Sequence, residues 1–179
     1  RVDPEKSIDV VVKAFALLLA DGISNTELVI VGDGIDMARL KELTEDLGIS
    51  EEVKFLGKIM MPELAKVYRM GTIFATGSET ETQGIVLIEA AATGLPLVAV
   101  NAGAVGEICV NGVNGELVEA GNVEAFKEAM KKILLDKKLQ KEYSKNSLEI
   151  SKKHDLRHTL KRFEEIYEEA IRLKRAEAE

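Results

Sequence analysis

Two glutamates frame the one stretch of this sequence whose residue types could do chemistry. Ser78 to Val100 reads SETETQGIVLIEAAATGLPLVAV. Glu81 and Glu89 flank Gly84, and between Gly84 and Pro96 the only charged residue is Glu89. Its neighbours one helical turn away are Ile85, Val86, Ala92 and Thr93, so it does not sit on a polar stripe. Burying an unpaired carboxylate costs several kcal/mol. A glutamate in that place needs donors: the hydroxyls of a polyol, backbone amides or a basic side chain.

The spacing alone says little, because it recurs at Glu116/Glu124 and Glu169/Glu177. Context separates the pairs. Only Glu81 and Glu89 straddle a strand–loop–helix junction with a glycine between them. Gly84 lets a ligand approach the backbone closely. The N–H groups of Thr82, Gln83 and Gly84 lie where a helix starts, and the helix dipole there favours an anion such as phosphate. Plain helix capping is the simpler reading of the Ser78, Thr80 and Thr82 hydroxyls. No metal is expected, since Glu79 and Glu81 have no accompanying Asp-x-Asp pair. His154 and His158 are four apart in KKHDLRHTLKR, a zinc-like spacing, but no third ligand is in view. That segment reads as a charged helix capped by Asp155. Cys109 is the single cysteine. It rules out a disulfide framework or thiolate cluster and reads as a small core residue.

The elements that must position these residues alternate between strand and helix. Ser7 to Leu19 has the period of an amphipathic helix, with Ile8, Val11, Val12 and Phe15 inward. Glu27 to Gly32 reads as a buried strand, Met37 to Leu47 as a helix closed by Gly48, and Glu52 to Gly57 as a strand. Met61 to Gly71 is a helix with Pro62 in its first turn. Strands over Thr72–Thr76 and Pro96–Val100 enclose the helix that carries Glu89. A helical turn near Val105 leads through NGVNG to a strand at Glu116–Glu119, and the rest is helical with breaks near Asp136 and Asp155.

Such alternation predicts an α/β fold: a Rossmann-like, doubly wound parallel sheet with helices on both faces. A sheet of this kind places its first strand centrally, yet the sequence opens before a helix. The first strand is therefore expected to lie outside these residues or to come from another chain. Ligands bind such sheets at the carboxyl ends of the strands. The segments at residues 32–34, 57–61, 77–84 and 101–107 should therefore cluster along one edge.

The 179 residues suit a single domain. At 46% hydrophobic and 31% charged, the composition is that of a globular protein rather than a disordered one. A net charge of -7 argues against nucleic acid as a partner. No apolar run reaches the ~18 residues of a membrane span and no signal-peptide pattern is seen, so a cytoplasmic location is expected. Arg1 in place of Met suggests a fragment of a longer polypeptide.

Taken together, these segments resemble the carboxy-terminal half of the GT-B glycosyltransferases of family 4, also called group 1, which retain anomeric configuration. The family signature, Ser, then Glu-Thr-x-Gly, then a second glutamate within Glu-Ala-x-Ala-x-Gly-x-Pro, matches Ser78, Glu81, Thr82, Gly84, Glu89, Ala90, Ala92, Gly94 and Pro96. The opening RVDPEKSIDVVVKAFALL is similar to the family's Arg-x-x-x-x-Lys-Gly segment, and VGDG, VKFLG and FEEIYEEA fall where the family has them.

The resemblance implies a donor-binding domain spanning residues 1–179, without the amino-terminal domain that binds the acceptor. It implies transfer of a hexose, with retention, from a nucleotide-diphosphate sugar to a glycan or lipid. Arg1 and Lys6 match the basic pair that neutralises the donor diphosphate. Glu81 matches the glutamate near the donor sugar, with amides of Thr82, Gln83 and Gly84 near the phosphates, and Glu89 the residue that accepts from the ribose hydroxyls. Gly32, Leu56 and Lys58 would line the nucleobase pocket. A UDP-sugar is the first expectation, with GDP- or ADP-sugar as alternatives, and no cofactor is implied. Any membrane contact, at its inner face, would come through the full-length enzyme. Three departures stand out: Gly103-Ala104-Val105-Gly106-Glu107 replaces Gly-Gly-x-Pro-Glu, Gln83 replaces an aromatic or aliphatic residue, and Ser7 replaces glycine. The rival readings are a non-catalytic interaction or regulatory module, and a related enzyme such as a sugar-nucleotide epimerase or a phosphorylase.

Overall fold

The computed structural model describes residues 1–176, the side chains of residues 158, 175 and 176 excepted. A 3-10 turn (Pro4–Lys6) leads into α1 (Ile8–Ala20), and strands and helices then alternate. They are β1 (Leu28–Val31), α2 (Met37–Asp46), β2 (Val53–Gly57), α3 (Glu63–Met70) and β3 (Phe74–Thr76). Then come α4 (Ile85–Ala92), β4 (Leu97–Val100), α5 (Val105–Ile108) and β5 (Gly115–Val118). Helices α6 (Val123–Leu135), α7 (Lys137–Ser151) and α8 (Leu156–Ala176) follow. The break before α7 has a plain cause: the Asp136 carboxylate accepts from the amides of Lys138 and Leu139, both at 2.9 Å, and so starts a new helix.

All strand pairs are parallel, in two groups: β1 with β2, and β3–β4–β5. Strand β4 is buried at every residue, and its alternation feeds two cores. Val98 and Val100 join Val10, Val11 and Ala14 of α1 and Phe126, Met130 and Ile133 of α6. Leu97 and Ala99 join Leu87, Ala90 and Ala91 of α4 and Val105 and Ile108 of α5. Helices thus cover both faces. A third core packs Val12, Phe15 and Leu18 of α1 against Ile30, Leu40 and Val53. Cys109 is a buried core residue whose thiol is pushed up to about 12 by burial and then by Glu116.

Between β1 and β3 no described strand completes the sheet. A cleft of about 1840 Å³ lies there, walled by Leu28–Val31 on one side and Thr72–Thr76 on the other, over Val11, Phe15 and Leu18 of α1. It has the place that the expected central strand would take. The expectation of a buried strand at Glu27–Gly32 needs correction on this account: Val29 is 43% exposed because one flank of β1 faces the cleft.

A buried polar network ties the second group of strands to α7. Asn114 donates through Nδ2 to the Ile108 carbonyl (2.9 Å) and to Ser147 Oγ (3.3 Å), and its Oδ1 accepts from the Val110 amide (2.8 Å). The Ser147 hydroxyl donates onward to the Leu95 carbonyl at 2.7 Å. Truncation strands several buried groups at once, so Asn114→Ala should cost about 2–3 kcal/mol in urea unfolding. A loss below ~0.5 kcal/mol would show that the network is not structural.

Candidate functional site

The site is built where the chain start meets the loop after β3. A Cβ on Gly77 would lie 2.3 Å from the Ser7 carbonyl oxygen, so only glycine lets the two backbones meet. Ser7 itself takes the left-handed conformation, at φ 46° and ψ 40°, as it turns the chain into α1. This docking brings together residues 75 apart in sequence. Lys6 Nζ lies 2.7 Å from Glu81 Oε1, with the two side chains 25% and 14% exposed. A pair so sheltered gains little net stability, because desolvation offsets the attraction. What it provides is a fixed cation and a fixed anion at the rim of the cleft.

The loop closes at Gly84, which sits at φ 61° ahead of α4. A Cβ there would meet Ile108 Cδ1 at 2.7 Å. The expectation that Gly84 clears ground for a ligand is corrected accordingly: the missing side chain would have pointed at the core, and both backbone angle and packing demand glycine. Among the described residues, no acceptor is bonded to the amides of Thr82, Gln83, Gly84, Ile85 or Val86. Their N–H groups, at the positive end of α4, form a ready set of donors for an anion. The segment at 101–107 buttresses this loop from behind, since the Ala104 amide donates to the Glu81 carbonyl at 3.4 Å.

Glu89 is half-buried on α4 and accepts from the Tyr68 hydroxyl of α3 at 3.0 Å through Oε2. Its surroundings differ from the sequence reading. Ile85 (55%), Val86 and Ala92 are exposed, and Ile85 and Val86 line the cleft beside Glu89 instead of entering the core. The eight-residue α4 buries Leu87, Ala90 and Ala91 and packs Ile88 against the same core, while Ile85, Val86 and Ala92 turn outward. Sequence reasoning missed Tyr68. Its signal was there, for a tyrosine on the apolar side of a short helix needs a partner for its hydroxyl.

Arg1, Lys6, Gly32, Leu56, Lys58, Glu81, Thr82, Gln83, Gly84 and Glu89 all line the same cleft. Arg1 nonetheless stands apart from Lys6. It is 73% exposed and pairs with Asp3 and Glu5, both at 3.0 Å, the nearest carboxylates of its own turn. No group of three or more His, Cys, Asp or Glu suited to a metal occurs among the described residues. His154 ends a 3-10 turn, and the His158 side chain lies outside the described residues. No described helix is long and apolar enough to cross a membrane.

A parallel sheet with an anion-ready helix start and two carboxylates at its carboxyl edge invites comparison with known proteins. The family described as "Glycosyl transferases group 1" matches residues 1–149. The chain belongs to that family. It is 36% identical over 140 residues to the D-inositol 3-phosphate glycosyltransferase of Rhodococcus opacus (strain B4), covering 75% of this chain and 31% of that protein. It is 33% identical over 143 residues to the GDP-mannose-dependent alpha-(1-6)-phosphatidylinositol monomannoside mannosyltransferase of Mycolicibacterium smegmatis (strain ATCC 700084 / mc(2)155), covering 76% and 37%. The chain thus spans about a third of the length of these curated relatives. Among solved structures, Anabaena HepE in complex with UDP-glucose superposes with a TM-score of 0.77 at 25% identity, over 84% of this chain and 42% of that one. The α/β architecture with its parallel strands is therefore that of the GT-B glycosyltransferases.

The left-handed turn at Ser7 gives the site a measurable strain. That conformation costs a non-glycine residue roughly 1–2 kcal/mol, while glycine's extra freedom in the unfolded chain costs about 0.5–1 kcal/mol. The Ser7 side chain makes no capping hydrogen bond that would be lost. Ser7→Gly should therefore raise stability by about 0.5 kcal/mol in urea unfolding, and a loss of stability would refute the strain.

Proposed function

We propose that this chain binds the donor of a retaining hexosyltransferase, a nucleotide-diphosphate sugar, with residues 1–179 forming the donor-binding domain and a separate domain of the full polypeptide taking the acceptor glycan or lipid. The observation that carries this reading is the meeting of three features on one cleft. These are the Lys6–Glu81 ion pair, the unbonded amides at the start of α4, and Glu89 with one oxygen held by a neutral hydroxyl. A diphosphate suits the first two, and the vicinal hydroxyls of a ribose suit the third. The solved relative with UDP-glucose and the GDP-mannose-dependent relative share those two chemical groups and differ in the base. A UDP-sugar is the first choice of donor here, ahead of GDP- or ADP-sugar.

In the reaction so proposed, the bond from the anomeric carbon to the diphosphate oxygen breaks through an oxocarbenium-like transition state, the acceptor hydroxyl oxygen bonds to that carbon, and its proton passes to the departing diphosphate. Negative charge then grows on the leaving diphosphate. Lys6 and the α4 amides, with Arg1 once it leaves Asp3 and Glu5, stabilise that charge in this reading. Glu81 orients the sugar and Thr82 to Gly84 hold the phosphates. Gly32, Leu56 and Lys58 flank the base. Fixed amides and a lysine serve where other enzymes use a metal, and the work is placed in the cytoplasm, with any contact to the membrane's inner face made elsewhere in the polypeptide.

Isothermal titration of the full polypeptide with UDP, GDP and ADP tests this reading. One of the three should bind, unaffected by EDTA, and Lys6→Ala should weaken it about 10- to 100-fold through loss of a charged hydrogen bond. Glu89→Gln should weaken it about tenfold. Silence toward all three from folded protein, or indifference to both substitutions, would favour an interaction module over a donor site.

A further inference from the structure

Tyr68 enters the reading above only as the hydroxyl on one oxygen of Glu89, and among the described residues it makes the one hydrogen bond to that side chain. The contact joins α3 to α4 across 21 residues, and both side chains line the cleft. The ring is fixed independently of its hydroxyl. It tilts against Phe74 at 57°, with centroids 5.9 Å apart, and packs on the core formed by Leu87, Ala90 and Leu95. Burial, then the charge and hydrogen bond of Glu89, push the phenol well above its ordinary range, so the hydroxyl stays a neutral donor. A carboxylate has two oxygens, each with more than one acceptor site. Tyr68 occupies Oε2, and among the described residues no donor is bonded to Oε1.

A glutamate on an open helix face otherwise has several rotamers to choose from. Here the neighbours that could confine it do not, since Ile85, Val86 and Ala92 are exposed. Among the described residues, Tyr68 makes the one side-chain hydrogen bond that holds it. We infer that Tyr68 is the positioning residue of the donor site: by holding Oε2 of Glu89 from a ring locked against Phe74, it keeps Oε1 turned to the cleft to receive ribose hydroxyls. This rests on the reading of Glu89 as the ribose acceptor. Tyr68 acts through Glu89 and need not touch the ligand. The opposite arrangement, in which Tyr68 occupies the place of a ribose hydroxyl and must be displaced, makes the opposite forecast.

The experiment compares wild type and Tyr68→Phe in the full polypeptide, by calorimetric titration with UDP and with 2′,3′-dideoxy-UDP, or with the GDP or ADP pair if that base binds. Phenylalanine keeps the ring against Phe74, and a melting temperature within ~2 °C of wild type shows that the fold is kept. Wild type should prefer the ribonucleotide. Tyr68→Phe should weaken the ribonucleotide about five- to tenfold, the size of one lost hydrogen bond's ordering effect, and leave the dideoxy form within twofold. In a Glu89→Ala background the same substitution should cost nothing further. Equal loss for both nucleotides would mean a merely structural role, tighter ribonucleotide binding would mean displacement, and unchanged binding would mean no role; each overturns the inference. If wild type itself binds both nucleotides alike, Glu89 takes no ribose hydroxyl and the underlying reading falls as well. If wild type discriminates and Tyr68→Phe discriminates equally, only the inference about Tyr68 falls.

Discussion

Helix α1 holds in one frame two groups of parallel strands that share no hydrogen-bonded ladder. Val10, Val11 and Ala14 enter the core with β4 and β5, while Val12, Phe15 and Leu18 enter the core with β1. Each large side chain so buried contributes roughly 1.5–3 kcal/mol, and the set is spread over both sides of a helix of only 13 residues. A helix that is apolar over most of its circumference is one that must be enclosed. Because α1 begins at Ile8, two residues after Lys6, the packing that fixes the helix also fixes Lys6. The electrostatics at the rim of the cleft are in this sense a consequence of the core.

Close backbone contacts carry that placement to the site. Gly77 meets the Ser7 carbonyl, and Gly84 turns the loop under Ile108. Packed interiors transmit such contacts with little slack. The loop between them is therefore held at both ends. Its amides, left without acceptors, face the same space as Lys6, Glu81 and Glu89. They stand at the rim of that space, on loops that follow the strands, and ligands of open α/β sheets bind outside the carboxyl ends of the strands.

Much of the fold was legible in the sequence because periodicity reports burial directly. The helices at Ile8–Ala20, Met37–Asp46 and Val123–Leu135, and the strand at Leu97–Val100, fall within a residue or two of their apolar patterns. The elements read less well are those beside the cleft. Strand β1 looks fully buried by composition yet is partly exposed, and Ile85, Val86 and Ala92 of α4, one turn from Glu89, face outward. A run of Leu, Val and Ile says that a segment favours apolar neighbours. It does not say on which side they stand.

Residue types and spacing determined the alternation of elements, the edge on which the loops gather, and the list of polar residues that share it. Those properties are local or follow from the rules of parallel sheets. Tertiary structure alone decided who meets whom: Lys6 with Glu81, Tyr68 with Glu89, and Arg1 with its own turn instead of with Lys6. Hydrogen bonds and ion pairs act over about 3 Å, and residues 21 or 75 positions apart come within that reach only after the helices have docked.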